Sequence, residues 1–122
     1  MLRDMDLVKD ILIELGNNTP GTSYNSENFE IPGHDPEEVH FHLYLLEQAG
    51  LIEAHDATGM GSQGPEMIPL WLTWNGYEFL EAASNEGIWE KAKGVLKEQG
   101  LGTSFDLMKT LLVKLGQEAI SG

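Results

Sequence analysis

"EEVHFHLYLLEQAGLIEA", residues 37–54, holds a helical face, a stop and the start of a strand in a single run. Val39, Leu43 and Leu46 recur three and four apart, the spacing of a buried helical stripe. Gly50 supplies the left-handed backbone that ends a helix, and Leu51, Ile52, Glu53 and Ala54 resume as a strand. The start signal lies just upstream. Asp35 is expected as N-cap and Pro36 at the first helical position, with Glu38, three residues after the cap, closing a capping box. The sequence therefore predicts a helix over residues 36–49 that runs directly into a strand.

Upstream, residues 4–15 predict a helix capped by Asp4 and stopped by Gly16, with Leu7, Val8, Ile11, Leu12 and Leu15 on its inner face. Residues 17–34 have no helical period and read as a loop with a short strand in "ENFEI", residues 27–31. Downstream, "LIEA" is followed by the glycine-rich "ATGMGSQGPE" and by a returning strand, "MIPLWLT", whose Pro69 suits an edge. Thr73 is placed to cap a helix through Ala83, with Tyr77, Leu80 and Ala83 facing inward. Asn85 restarts a helix over residues 87–99 that buries Ile88, Ala92, Val95 and Leu96. A last helix from Ser104 carries Phe105, Met108, Leu111, Leu112, Leu115 and Ala119 on one stripe.

This order predicts an α+β fold, mainly α: a winged helix-turn-helix-like domain with a two- or three-stranded antiparallel wing and extra C-terminal helices. A single domain over residues 1–122 is expected, with its core in residues 1–84 and a C-terminal helical extension in residues 85–122. The scaffold helix usual before a recognition helix is replaced by the polar loop of residues 17–34.

A chain of 122 residues, 41% of them apolar, can bury one core. It contains no cysteine, which excludes disulfides, thiolate zinc sites and thiol nucleophiles. The opening "MLRDMDLVKD" mixes acids with apolar residues, unlike a signal peptide, and no apolar run approaches the roughly 20 residues of a membrane helix. A soluble, cytoplasmic protein without membrane contact is expected. The formal net charge is −13, and its distribution is lopsided. No Lys or Arg occurs between Lys9 and Lys91, whereas fifteen acids fall between Asp10 and Glu90. Such a surface repels nucleic acid and acidic membranes and favours basic partners.

Within residues 39–52, Val39, His42, Leu43, Leu46, Ala49, Gly50, Leu51 and Ile52 resemble the V-S-x-H-L-x-x-L-x-x-A-G-L-V pattern of bacterial winged-helix repressors. Most of that pattern is packing, so it speaks for the fold more than for DNA binding. Function belongs to the opposite face, which by 100° steps is Glu37, Phe41, Tyr44 and Gln48, flanked by His40, Leu45 and Glu47. Base and phosphate contacts draw on Arg, Lys, Asn and Gln. This face offers Gln48, Tyr44 and His40 as donors and points carboxylates where a groove would be. Its apolar members ask for a protein surface, supplied either by the chain's own C-terminal helices or by a partner, which could be basic or a second copy of the chain. The rival expectation is a DNA-binding transcriptional regulator that docks through Lys91, Lys93, Lys97, Lys109 and Lys114 of the C-terminal helices.

Motifs that carry chemistry elsewhere lose their context here. "GMGSQG", residues 59–64, matches the dinucleotide fingerprint, but a strand instead of a helix follows it, so a flexible wing tip is expected. Residues 56–67 suggest a calcium loop, yet Met67 takes the position of its bidentate glutamate. His40 and His42 diverge by about 200° on a helix and cannot share a metal unaided. His42 reads as a core-edge residue, and His34 and His55 as lone residues without identifiable partners. Trp71, Trp74, Tyr77, Phe79 and Trp89 could line a pocket but read as core around the wing. No catalytic residue, metal site or cofactor site is expected, and no enzyme.

The segments "RDMDLVKDIL", "HLYLLEQAGLIEA", "LTWNGYEFLEA", "IWEKAKGVLKEQG" and "SFDLMKTLL" together resemble a family of small bacterial proteins known only as a domain of unknown function. Its members are often found in prophage regions. The resemblance implies a winged-helix-like fold and brings no catalytic or ligand residues with it. It also suggests a phage or mobile-element regulatory context.

Overall fold

The computed structural model describes residues 1–17, 24, 29–98 and 105–121. These form five helices and a two-stranded sheet in the order α1 (Met5–Gly16), α2 (Pro36–Gln48), β1 (Ile52–Asp56), β2 (Met67–Leu72), α3 (Trp74–Ala83), α4 (Glu86–Glu98) and α5 (Phe105–Ser121). The class is α+β and mainly helical. The chain divides into two compact units, Met1–Tyr77 and Glu78–Gly122, with the boundary inside α3.

In the first unit, Asp4 caps α1 as its sequence implies: Oδ1 accepts from the N–H groups of Asp6 and Leu7 at 2.9 and 3.3 Å. The expected inner face of α1, Leu7, Val8, Ile11, Leu12 and Leu15, is buried throughout. Helix α1 packs against α2 and β2, and the buried residues Val39, Leu43 and Leu46 of α2, Leu51, Ile52 of β1, and Met67 and Leu72 of β2 complete the interior of this unit. Each such side chain taken out of water contributes roughly 1.5–3 kcal/mol before chain entropy is subtracted. Helix α2 ends where the glycine signal put it, with Gly50 at φ 78°. There the N–H groups of Gly50 and Leu51 satisfy the carbonyls of Glu47 and Leu46.

Two local expectations fail. Phe29, Glu30 and Ile31 are not strand; Phe29 and Ile31 are buried, and Tyr24 meets Phe29 edge-on with centroids 4.9 Å apart. Glu27 and Asn28 of the expected strand lie outside the described residues. Among the described residues the sheet accordingly has two strands. The capping box at the head of α2 is also absent. Asp35 makes no side-chain cap bond, and the Glu38 carboxylate turns to the ring of His34 instead. An imidazole four residues back competes for the same carboxylate as the backbone N–H of the cap, and it wins.

The antiparallel strands pair Glu53 with Trp71 but Ala54 with Pro69, so Leu70 is an extra residue in β2. This bulge absorbs a proline that cannot donate to the ladder. It also shifts the alternation, so that Met67 and Pro69 face inward on one side of it and Leu72 on the other, while Trp71 is 44% exposed. The connecting loop is bridged by its own hydrogen bonds. The Ser62 hydroxyl donates to Glu66 at 2.9 Å and accepts from the Gly59 N–H at 3.0 Å, while Thr58 Oγ1 accepts from the Glu66 N–H at 3.0 Å.

Thr73 locks the end of the wing to its beginning. Its N–H donates to the Leu51 carbonyl at 3.0 Å, its hydroxyl donates to the Gly50 carbonyl at 2.6 Å, and the same oxygen accepts from the Gly76 N–H at 3.1 Å, capping α3. Gly76 allows this approach, because a Cβ there would lie 2.0 Å from the Leu51 carbonyl oxygen.

In the second unit, Asn85 caps α4, its Oδ1 accepting from the Ile88 N–H at 3.0 Å. The interior is Phe79, Ala83, Trp89, Ala92, Leu96, Met108 and Leu112. Phe79 replaces the expected Tyr77, which is 39% exposed, and Trp89 joins Ala92 and Leu96 while Ile88 and Val95 are half-buried. On α5, Met108 and Leu112 are buried and Leu111 and Leu115 half-buried; the side chains of Phe105 and Ala119 lie outside the description. The expected aromatic cluster is therefore two groups. Phe79 and Trp89 meet edge-to-face in the second interior, with centroids 6.2 Å apart, whereas Trp71, Trp74 and Tyr77 are exposed on the first unit.

Candidate functional site

Helix α2 has the two faces its sequence predicts, with one correction. Glu37 and Gln48 are exposed, and Phe41, Tyr44 and Leu45 are half-buried. The Gln48 amide donates to the Tyr44 hydroxyl at 2.8 Å, one turn along the helix. His40, expected on this outer face, is buried instead, and its Nδ1 accepts from the Met67 N–H at 2.9 Å. A backbone N–H can only donate, so Nδ1 is unprotonated and the ring serves to join α2 to the wing. A helical wheel places His40 close to the boundary between the faces; the long-range partner decides the side.

Beside His40, a cleft of about 420 Å³ separates the head of α2 from the wing loop and is lined by Pro36, Glu37, Gly61, Gln63, Gly64 and Glu66. Its ionisable rim, Glu37 and Glu66, is acidic. At the end of β1, where this loop begins, the Asp56 carboxylate lies below the usual carboxylate range, held there first by the Thr58 side chain and then by the Thr58 N–H at 2.9 Å. The glycines of "GMGSQG" sit in this loop between two strands, with no helix beginning beneath them.

The five lysines are spread over two helices, and two of them are engaged within the unit. Lys93 pairs with Glu90 at 3.2 Å and Lys109 with Glu78 at 3.7 Å. Lys91 and Lys93, two residues apart on α4, point to opposite sides of it by about 200°.

At the other side of α2, polar groups converge that the sequence left apart. Ile31-Pro32-Gly33-His34 is a tight turn closed by the His34 N–H on the Ile31 carbonyl at 3.2 Å, with Gly33 at φ 85°. The turn delivers the His34 ring to Glu38, so His34 is not the lone residue its sequence suggested. Asp4, from the head of α1, completes the group: one donor atom from each of Asp4, His34 and Glu38 lies within 4.8 Å of the others. Beneath them His42, fully buried, accepts the Asp4 N–H on Nε2 at 2.8 Å and directs Nδ1 to the Glu38 carbonyl at 2.8 Å. His42 thus lies fully inside the core, deeper than the core-edge position its sequence suggests, with both nitrogens committed to backbone. Asp4 lies thirty residues before His34, which hides it from any local pattern, whereas His34 and Glu38 are only four residues apart.

Among the described residues, no helix is long and apolar enough to cross a membrane. The family described as "Hypothetical protein (DUF2513)" matches residues 2–102. A Haemophilus influenzae relative, described as an uncharacterized protein, is 34% identical over 110 residues, covering 89% of this chain and 90% of that one. No solved structure matches the chain. With nearly the whole of both chains aligned and most of this one matched by the family, the chain belongs to the DUF2513 family of hypothetical proteins.

Proposed function

We propose that the chain is a non-enzymatic, winged-helix-like module that binds a basic protein partner through the outer face of α2 and the adjoining wing cleft. The acidic rim of that cleft carries the reading: Glu37 and Glu66 stand where a DNA-binding module needs cations, within a span of residues 10–90 that has no Lys or Arg. Phe41, Tyr44 and Leu45 supply half-buried apolar and aromatic area beside it, the composition of an interface centre. Charge complementarity at such a rim speeds encounter and selects partners more than it adds affinity. The winged-helix assignment rests on the element order and on the packing of α2 against both strands. The non-enzymatic reading is supported by the engagement of His40 and His42 with backbone groups. The phage or mobile-element setting and a cytoplasmic location rest on the resemblance and the composition alone.

Capture from host lysate by the full chain, compared with a folded Tyr44→Ala variant, tests the surface, and the captured protein should be basic. Titration against labelled duplex DNA at about 50 and 200 mM salt should give no saturable binding; tight binding with a steep salt slope would overturn the reading.

A further inference from the structure

We propose that Asp4, His34 and Glu38 bind a divalent first-row transition-metal ion, which clamps the head of α1 to the head of α2. This inference does not rest on the partner reading. One imidazole and two carboxylates form a nitrogen–oxygen donor set that suits Zn²⁺ and its neighbours, with open positions left for water. Their donor atoms already lie within 4.8 Å of one another. Around a tetrahedral ion with bonds of about 2.1 Å they would lie about 3.4 Å apart, so Asp4 must close in while His34 and Glu38, in direct contact, must part, movements on the order of an ångström. All three residues are half-exposed and have that freedom. His34 also lines an open cleft with Phe29, Ile31 and Pro36, so an ion can reach it from solvent.

The backbone beneath these donors is prepared independently of them. The Pro32-Gly33 turn fixes His34, Pro36 fixes the first turn of α2, and the His42 ring holds the Asp4 N–H and the Glu38 carbonyl together. That buried ring does for two of the ligating residues what outer-shell partners do for metal ligands, orienting them before the ion arrives. The Asp4 cap bonds occupy Oδ1, and a carboxylate has a second oxygen to offer.

Calorimetric titration of the full chain with ZnCl₂, in excess Mg²⁺, should give one saturable site. Asp4→Asn, which still caps α1, Glu38→Gln and His34→Ala should each weaken Zn²⁺ binding by roughly tenfold or more. His55→Ala should leave it unchanged. Nitrogen-15 spectra should show Zn²⁺ moving a His34 ring resonance while those of His42 stay in place. Absence of saturable uptake, leaving only an ion pair between His34 and Glu38, would overturn the proposal. So would uptake that survives all three substitutions.

Discussion

The backbone N–H of Asp4 donates to Nε2 of His42 at 2.8 Å, joining two residues 38 positions apart. Because Nδ1 of the same ring meets the Glu38 carbonyl at 2.8 Å, one buried side chain ties the first turns of both long helices of the unit. His42→Leu keeps the volume and removes both bonds. It leaves a partly buried N–H without an acceptor, so the substitution should cost about 2 kcal/mol in urea unfolding. A loss under about 0.5 kcal/mol would mean that the ring is only filling space.

Two glycines separate close approach from mere flexibility. Gly76→Ala would drive a methyl group to 2.0 Å from the Leu51 carbonyl oxygen, where α3 crosses the start of β1. Backbone on both sides cannot yield cheaply, and a loss of about 3 kcal/mol or more is expected. Gly94 lies inside α4 with open space around the missing Cβ. Gly94→Ala should raise stability by about 0.5–1 kcal/mol. Thermal unfolding of the two variants beside the wild type checks both signs.

Asp56 gives the wing tip an acid response. Its folded pKa is lowered by the Thr58 side-chain and backbone hydrogen bonds. The stabilisation it brings is therefore present above the unfolded value of about 3.9 and is lost as pH falls through the lower folded value. The Thr58 amide resonance should titrate with a midpoint below about 3.9, and Asp56→Ala should abolish that step. A midpoint at or above it would contradict the hydrogen-bonded turn.

The faces of α2 should separate stability from binding. Leu43 is fully buried, and Leu43→Ala should cost about 2–5 kcal/mol. Tyr44 is half-buried, and Tyr44→Ala should cost about 1 kcal/mol or less while abolishing partner capture. Denaturant midpoints measured alongside capture check the pair. Unfolding by Tyr44→Ala would assign that face to the core.

What was legible in the sequence is what is local. Asp4, Pro36, Gly50, Thr73 and Asn85 mark helix ends by chemistry acting within four residues, and the structure places each of them at a helix end. Where two local rules compete, sequence cannot arbitrate: Glu38 had a cap to close and an imidazole to meet. Burial near a face boundary is decided by a distant partner, and that is why a helical wheel puts His40 on the outer side although Met67 draws it in. The Leu70 bulge is equally hidden, since only the cross-strand register reveals the extra residue. The Asp4, His34 and Glu38 group needed the Pro32-Gly33 turn and the packing of two helices before its members could meet.

The most direct test of the proposed role is photo-crosslinking in host cells from a benzoylphenylalanine placed at position 44, with protein and nucleic-acid adducts separated. The same probe at Met60, which is fully exposed at the wing tip, serves as the reference. A discrete adduct with a basic protein, formed from position 44 and competed by the unlabelled full chain, is expected. Adducts with nucleic acid, or crosslinking from position 44 only within its own chain, would contradict a protein-binding face on α2.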